Sequence, residues 1–270
     1  MPLRLNTTMQ LEHRIIQALA ERLESAERNR ADITKITDDH PDMDWADAYA
    51  VQYEIRRRKL QRGSRLVGLK MGLTSFAKMK QMGVEQPIYG FLVDDYVRPD
   101  GGVVEFDQLI HPKIEAEIAF VLRAPLRGPG IHIGDVLAAT DFIVPAVEVI
   151  DSRYRDFKFD LKSVVADNCS SARFVTGGHA RRVDELDLRT LGIVVEKNGA
   201  VIGTAAGAAV LGHPAASVAM LANMLAERGE HIPAGCFVMT GGATEAYAVE
   251  PGDVINVRYQ DIGSVSLRFA

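Results

Sequence analysis

The chain has 270 residues, of which 47% are hydrophobic and 25% charged, and its formal net charge is -5 at pH 7. This composition excludes the disordered and fibrous classes, and the acidic excess gives no general attraction to nucleic acid or anionic lipid. The length allows one large domain, or one with a small appendage, and favours a small molecule or a protein as the partner.

The cysteines and the first residues of the chain indicate the compartment. Cys169 and Cys236 match neither a zinc spacing nor a disulfide framework. The N-terminal stretch MPLRLNTTMQ has no apolar signal-peptide core, and no uninterrupted apolar run approaches the length of a membrane span. We therefore expect a cytoplasmic protein.

Two amphipathic helices are predicted near the N-terminus. In the first, capped by Thr7 or Thr8, apolar residues from Leu11 to Leu23 fall on one stripe. The second begins after Asp44, a favourable N-cap residue, and ends near Gly63. We predict a helical N-terminal region over residues 1–65 and a β-rich domain over residues 66–270.

Short β-rich runs alternate with turn signals from residue 66 onward. Exceptions are predicted helices at 75–83 and 213–229, and Asn198-Gly199 predicts a tight hairpin. Strands without regular crossover helices favour a mixed or antiparallel sandwich or barrel. The chain also lacks the glycine-rich motifs of nucleotide folds and the GxSxG motif of serine hydrolases.

Three glutamates are candidate metal ligands. In the run HPKIEAEIAF, Glu115 and Glu117 share one face of a strand, ~7 Å apart at the backbone. By themselves they also fit the wet face of an amphipathic strand. Glu148 lies among apolar residues, where it needs a metal or a salt bridge to Arg153 or Lys113. Three carboxylates without histidine or cysteine suit Mg²⁺ or Mn²⁺.

Three further positions have polar groups that are candidates for substrate contacts. Lys70 lies between glycines in a strand-like run, where it binds a substrate oxygen or snorkels from a strand edge. Ser163 is a candidate for the site or a helix cap. The turn that begins with Thr240 and Gly241 offers bare backbone N–H groups to an anion.

The chain resembles a known family along nearly its full length. The segments LVGLKMGLTSFAKMKQMGVEQPIYGFL, HPKIEAEIAF, PAVEVIDSRY, FDLKSVVADN, LGHPAASVAMLANMLAERGEHIPAG and MTGG are similar to the hydratase/decarboxylase branch of the fumarylacetoacetate hydrolase superfamily. The resemblance implies an α+β fold, a mixed β-sandwich roll with a small helical N-terminal region, in which residues 66–270 form the catalytic domain.

The resemblance also implies roles for individual residues. It implies a divalent ion held by Glu115, Glu117 and Glu148, with Lys70 and Ser163 as catalytic residues. Substrate-binding positions are then Leu73, Ile88, Thr240 and Gly241. The hydratases of this branch carry an acid where this chain has Ile88 in QPIYGFL, a departure that favours decarboxylation.

The implied reaction is decarboxylation of 2-oxo-3-hexenedioate to 2-hydroxypenta-2,4-dienoate and carbon dioxide, in meta-cleavage degradation of aromatic compounds. Hydration of 2-hydroxypenta-2,4-dienoate is the alternative, and hydrolysis of acylpyruvates and a non-catalytic scaffold are more remote ones. The resemblance implies a complex with the pathway hydratase. Sequence does not choose the cation that binds the distal carboxylate among Arg153, Arg155, Lys158, Lys162 and Arg173.

Overall fold

The computed structural model describes residues 10–76, 79–80, 84 and 86–270. The helices within these residues are α1 His13–Asn29, α2 Ile36–Asp39, α3 Trp45–Gln61, α4 Ile133–Ala139, α5 Leu161–Ala166 and α6 Pro214–Ala226. The strands are β1 Leu66–Gly72, β2 Ile88–Val93, β3 Val97–Arg98, β4 Gly102–Val104, β5 Lys113–Leu122, β6 Thr140–Ile150, β7 Ser171–Thr176, β8 Gly192–Lys197, β9 Ala200–Ala206, β10 Phe237–Met239, β11 Tyr247–Ala248, β12 Val254–Tyr259 and β13 Gly263–Phe269.

The strands form two sheets of mixed direction. The eight-stranded sheet has the order β2-β1-β10-β5-β6-β7-β3, with β11 paired to β5, and the five-stranded sheet has the order β4-β13-β12-β8-β9. Most neighbours are antiparallel, whereas β1 with β10, β3 with β7 and β4 with β13 run parallel. These mixed sheets, together with the N-terminal helices, confirm the predicted α+β fold.

The N-terminal helices pack on the larger sheet. As predicted, Asp44 caps α3 by accepting a hydrogen bond from the Asp47 backbone N–H at 2.9 Å. The Asp47 carboxylate in turn accepts a hydrogen bond from the Asp44 backbone N–H. The predicted first helix begins at His13, while Thr7 and Thr8 lie outside the described residues. Gln52 of α3 donates to backbone carbonyls of β2 and α5, which fixes the helix against both.

Other sequence predictions have mixed outcomes. The Asn198-Gly199 hairpin joins β8 and β9, with φ of 54° and 81° at its two central residues. The helix expected over residues 75–83 lies largely outside the described part of the chain. The division into domains at residue 65 stays a prediction, although helices precede that point and strands follow it.

The segment Gly207–Ala226 is long and apolar enough to cross a membrane by length and composition, with a mean hydropathy of 1.4. It includes α6, and 61% of the apolar stretch is buried inside the protein. The N1 residue of α6 is Pro214, and the ring of His213 accepts a hydrogen bond from Ala215 N–H at the helix start. The buried share of this segment is typical of a core helix.

Replacing the α3 cap tests the N-terminal packing. Asp44→Ala removes the side-chain acceptor of the capping box, so we expect the free energy of unfolding in urea to fall by ~1 kcal/mol. Asp42→Ala, at a nearby exposed position, is the matched control and should change it by less than ~0.5 kcal/mol. Equal losses in the two variants would contradict the role of the cap.

Candidate active site

One face of the eight-stranded sheet carries the predicted metal ligands and Lys70. Glu115 on β5 lies directly opposite Glu148 on β6, and Glu117 is one pleat further along β5. On the other side of β5, Ala119 pairs with Met239 of β10, which in turn pairs with Lys70 of β1. Directly opposed residues project from the same face of a sheet, so the register places all four side chains together.

The three carboxylates form a compact cluster in which Glu117 and Glu148 are buried and Glu115 is half-buried. Each offers an oxygen within 4.8 Å of the others, and Glu117 and Glu148 are both 0% exposed. Burial, followed by the charge of Glu148, raises the pKa of Glu117 well above its usual range. Burial also raises the pKa of Glu148, although Lys70 acts in the opposite direction. This burial overturns the interpretation of the Glu115–Glu117 pair as a wet strand face.

Lys70 is the cation of the cluster. Its Nζ lies 2.9 Å from Glu148 Oε2 and donates to the Cys169 carbonyl at 3.2 Å. Burial is the largest single influence and lowers the pKa of Lys70, but the charges of Glu148 and the other acidic groups nearby together outweigh it, so the pKa is raised and the ammonium persists. Since an ammonium has three N–H donors, one remains for a ligand. The lysine is central in the sheet, between β2 and β10, and the snorkelling interpretation is wrong.

The charges and unpaired oxygens of this cluster fit a divalent cation. Oε1 of Glu117 and Oε1 of Glu148 are buried without a hydrogen-bond partner among the described residues. A buried, unpaired carboxylate oxygen is costly unless a cation compensates it. Carboxylate oxygens in the absence of nitrogen or sulfur ligands match the preference of Mg²⁺.

The predicted glycine-rich turn after β10 contacts the acids directly. Gly241 donates its N–H to Glu117 Oε2 at 2.6 Å, and a Cβ at Gly242 would lie 2.8 Å from the carboxyl carbon of Glu115. Thr240 Oγ1 donates to the Ile118 carbonyl at 2.8 Å, which ties the turn to β5. Within the described structure the turn therefore positions Glu117, and its contact with substrate stays a prediction.

Ile88 and Leu73 lie at the C-terminal end of the strand that carries Lys70. Ile88 is paired with Gly72, and a Cβ placed on Gly72 would lie 3.2 Å from the Ile88 side chain and 4.0 Å from Lys70 Nζ. Ile88 therefore borders the space beside the ammonium group. Leu73 follows with a φ of 57°, a left-handed conformation that is uncommon for a non-glycine residue. Substrate contacts of both residues stay predictions.

Ser163 is not brought to the carboxylates by any hydrogen bond in the described structure. Its hydroxyl lies 2.9 Å from that of Thr37 and donates to Asp160 at 3.1 Å. The cap of α5 is Asp160, which accepts from the Ser163 backbone N–H. Ser163 therefore joins α2 to the start of α5 through its side chain, and the catalytic role implied by the family resemblance stays a prediction.

The alternative ion pairs considered for Glu148 are wrong. Its cationic neighbour is Lys70, while Arg153 pairs with Asp167 and Lys113 Nζ stacks 4.1 Å from the centre of the Phe157 ring. Arg153 is also less available to bind the distal carboxylate of a substrate, because four of its five guanidinium N–H groups donate to the protein itself. The other candidates occupy varied positions: Arg155 and Lys158 pair with Asp32 and Asp156, Lys162 donates to the Met43 carbonyl, and Arg173 donates to the Ala172 carbonyl.

Two contributors to the site have no signal in the sequence. Tyr259 of β12 accepts a hydrogen bond from Glu117 N–H at 3.2 Å and donates to the Ala146 carbonyl at 2.5 Å, so its hydroxyl bridges paired residues of β5 and β6. The Cys169 carbonyl reaches Lys70 from a distant loop. Both depend on tertiary packing, since neither residue belongs to a recognisable motif.

The family of the chain is shown by its sequence, and the acids beside Lys70 lie within the matched region. Residues 78–270 match the model of the fumarylacetoacetate hydrolase C-terminal domain. The chain belongs to the fumarylacetoacetate hydrolase family.

Individual relatives narrow the comparison. The chain is 70% identical over 254 residues to a 4-oxalocrotonate decarboxylase of Pseudomonas sp. strain CF600, covering 94% of this chain and 96% of that one. A solved 4-oxalocrotonate decarboxylase from Pseudomonas putida G7, complexed with magnesium and adipate, superposes with a TM-score of 0.96 at 65% identity, over 97% of this chain and 100% of the other. A 2-oxo-hept-4-ene-1,7-dioate hydratase of Escherichia coli is 40% identical over 257 residues, 93% of this chain and 96% of its own.

Replacing Glu117 tests whether the carboxylate cluster binds the cation. Glu117→Gln keeps the side-chain size but removes one buried negative charge, so we expect it to remove the stabilisation by Mg²⁺, ~2.7 kcal/mol at a hundredfold excess over Kd. Urea unfolding with and without Mg²⁺ measures this difference. The exposed Glu105→Gln is the control and should keep the parent's response. Unchanged Mg²⁺ stabilisation in Glu117→Gln would exclude the cluster as the binding site.

Replacing Gly241 tests the role of the glycine-rich turn after β10. Gly241 and Gly252 have nearly equal φ values of 91° and 92°, but a Cβ on Gly241 would lie 2.2 Å from Thr74 Oγ1, whereas Gly252 has open space. Alanine strains the backbone at both positions. Gly241→Ala adds overpacking, and we expect it to lower the free energy of unfolding by ~1–3 kcal/mol more than Gly252→Ala.

Calorimetric titration with Mg²⁺ should show weaker binding in Gly241→Ala alone. The backbone N–H at position 241 holds Glu117, and overpacking at this position would displace that N–H. Equal stability and equal Mg²⁺ affinity in the two alanine variants would contradict the steric account of the turn.

Proposed function

We propose that this protein is a Mg²⁺-dependent carboxy-lyase that converts 2-oxo-3-hexenedioate, also called 4-oxalocrotonate, into 2-hydroxypenta-2,4-dienoate and carbon dioxide. The observation that carries the proposal is the buried cluster of three carboxylates and Lys70, in a chain 70% identical to a 4-oxalocrotonate decarboxylase over nearly its full length. Its place is in meta-cleavage degradation of aromatic compounds.

The cluster suits the cofactor by charge and ligand type. Glu115, Glu117 and Glu148 are assigned as the residues that hold Mg²⁺, with Mn²⁺ as an alternative hard cation. When bound, the ion supplies Lewis-acid polarisation of the substrate's keto group. The magnesium complex of the 65% identical relative supports this assignment.

Lys70 is assigned the stabilisation of negative charge on the keto oxygen. When the C5–C6 bond breaks, C6 leaves as carbon dioxide, and its electron pair forms C4=C5, shifts C3=C4 to C2=C3 and places charge on the C2 oxygen. The remaining N–H of Lys70 donates to that oxygen, in a site dry enough for the bond to be strong. A proton then converts the dienolate into the product dienol.

The apolar side chain of Ile88 supports decarboxylation over hydration. A hydratase has to add water across a double bond, and a carboxylate beside Lys70 is suited to move the proton. Ile88 borders the Lys70 ammonium and is 4% exposed, so it excludes water from the reacting carbons instead. Leu73, Thr240 and Gly241 are assigned to the substrate pocket, and Ser163 to its catalytic residues, on the family resemblance.

The proposal extends to a partner and a location. We expect a complex with the pathway hydratase, because the hydratase consumes 2-hydroxypenta-2,4-dienoate, the product of this reaction, and the family resemblance implies the association. The expected location is the cytoplasm. Size-exclusion chromatography of the two proteins, mixed and separate, tests the complex.

Product analysis tests the activity itself. Purified protein with Mg²⁺ and 2-oxo-3-hexenedioate should release carbon dioxide and form 2-hydroxypenta-2,4-dienoate, and EDTA should abolish the turnover. The same preparation should add no water to 2-hydroxypenta-2,4-dienoate. Hydration without carbon dioxide release would establish the hydratase alternative, and full activity in EDTA would refute the role of the metal.

Installing an acid beside Lys70 tests the pocket. Ile88→Asp places a carboxylate where an apolar group borders the ammonium, so we expect kcat for carbon dioxide release to fall by ~10-fold or more, because the new charge competes for Lys70. Ile88→Asn, similar in size and uncharged, separates charge from polarity. Parent-like decarboxylation by Ile88→Asp would show that Ile88 has no part in the choice of reaction.

A further inference from the structure

The chain passes through an unusual left-handed turn beside Lys70. Asn168, Cys169 and Ser170 have φ values of 49°, 53° and 59°, and none is a glycine. Three consecutive residues in this conformation are disfavoured for L-amino acids. Such strain persists where the surrounding structure over-determines it, and it is concentrated at functional sites. The middle residue of this turn provides the carbonyl that accepts from Lys70 Nζ at 3.2 Å.

Arg153 holds the turn from one side. Its guanidinium donates to the Asp167 side chain and carbonyl, to the Asp151 carbonyl at 2.7 Å and to the Ser171 carbonyl at 3.1 Å. The backbone N–H of Arg153 donates to Asp167 Oδ2 at 3.1 Å. Arg153 is 4% exposed. The arginine therefore binds the chain immediately before and after the left-handed residues, and these bonds use four of its five guanidinium N–H groups.

Asn168 fixes the turn from the other side. Its Oδ1 accepts from the Phe91 N–H at 2.9 Å and its Nδ2 donates to the Phe91 carbonyl at 3.0 Å. Gly90 beside it has no room for a side chain, since a Cβ there would lie 2.7 Å from Asn168 Oδ1 and 3.3 Å from Lys70 Cδ. The turn is thus fitted against β2 and against the stem of Lys70.

We infer that Arg153 is a positioning residue of the reaction, which acts by holding the left-handed turn so that the Cys169 carbonyl orients the Lys70 ammonium. With one N–H donated to the Cys169 carbonyl and the ammonium 2.9 Å from Glu148 Oε2, the group is held so that a remaining N–H is available to the substrate. This inference rests on the proposed function, because that N–H matters only if charge develops on the substrate.

A double-mutant cycle with Lys70 tests this inference. Arg153→Met should lower kcat for carbon dioxide release by ~10–100-fold, as loss of a supporting contact commonly does, with KM changed by less than ~3-fold. In the Lys70→Met background the same substitution should change kcat by less than ~3-fold, because residues that act through one group are not additive. Arg14→Met, an exposed arginine paired with Glu12 on the first helix, is the control and should match the parent.

A second variant removes the dependence on how well Arg153→Met folds. Asn168→Gly deletes both bonds to Phe91 while glycine accepts the positive φ, and it should show the same loss of kcat and the same non-additivity with Lys70→Met. Urea unfolding identifies the variants that are folded under assay conditions. Equal factors in both backgrounds would overturn the inference, since a structural role lowers activity whether or not Lys70 is present.

A measurement without turnover separates this inference from the proposed function. The ¹⁵Nζ resonance of Lys70, assigned by its absence in Lys70→Met, should shift or broaden in Arg153→Met and stay unchanged in Arg14→Met. If the parent releases no carbon dioxide, the proposed function fails whatever the resonance does. An unchanged Lys70 resonance in folded Arg153→Met overturns the positioning role whatever the parent's activity is.

Discussion

The site depends on the repulsion among three carboxylates held on one sheet face beside Lys70. Glu115 and Glu148 are direct cross-strand partners, an arrangement that is unfavourable for like charges. Lys70 compensates one charge, and the Gly241 N–H contributes a dipole to another. Carboxylates held this close together favour a cation with more than one positive charge, and their repulsion explains why so many surrounding groups hold these side chains in place.

Sequence predicts what local periodicity controls. The alternation in HPKIEAEIAF places Glu115 and Glu117 on one face, and the apolar setting of Glu148 indicates a buried strand; both follow from the two-residue repeat of a β-strand. Asp44 and the Asn198-Gly199 hairpin are likewise local features with defined backbone preferences. The mixed sandwich was predicted from the lack of crossover helices together with a family resemblance.

Contacts between distant segments could not be predicted from the sequence. Arg153 and Lys113 were as reasonable partners for Glu148 as Lys70, because strand order decides which cation is opposite an acid, and β10 inserts between β1 and β5 only in the folded chain. For Ser163, the sequence does not reveal that Thr37, more than a hundred residues earlier, would occupy its hydroxyl. A chain of left-handed residues without glycine has no sequence signature either.

The Tyr259 hydroxyl has a consequence for the protein as a whole. It belongs to the smaller sheet, yet it completes the hydrogen bonding of Glu117 and Ala146 in the larger one. Docking of the two sheets and the geometry of a carboxylate ligand are therefore thermodynamically linked. Because linkage is reciprocal, any free energy by which sheet docking favours cation binding is returned when the cation binds. An ion bound at Glu117 would therefore also stabilise the contact between the two sheets, including strands that do not touch it.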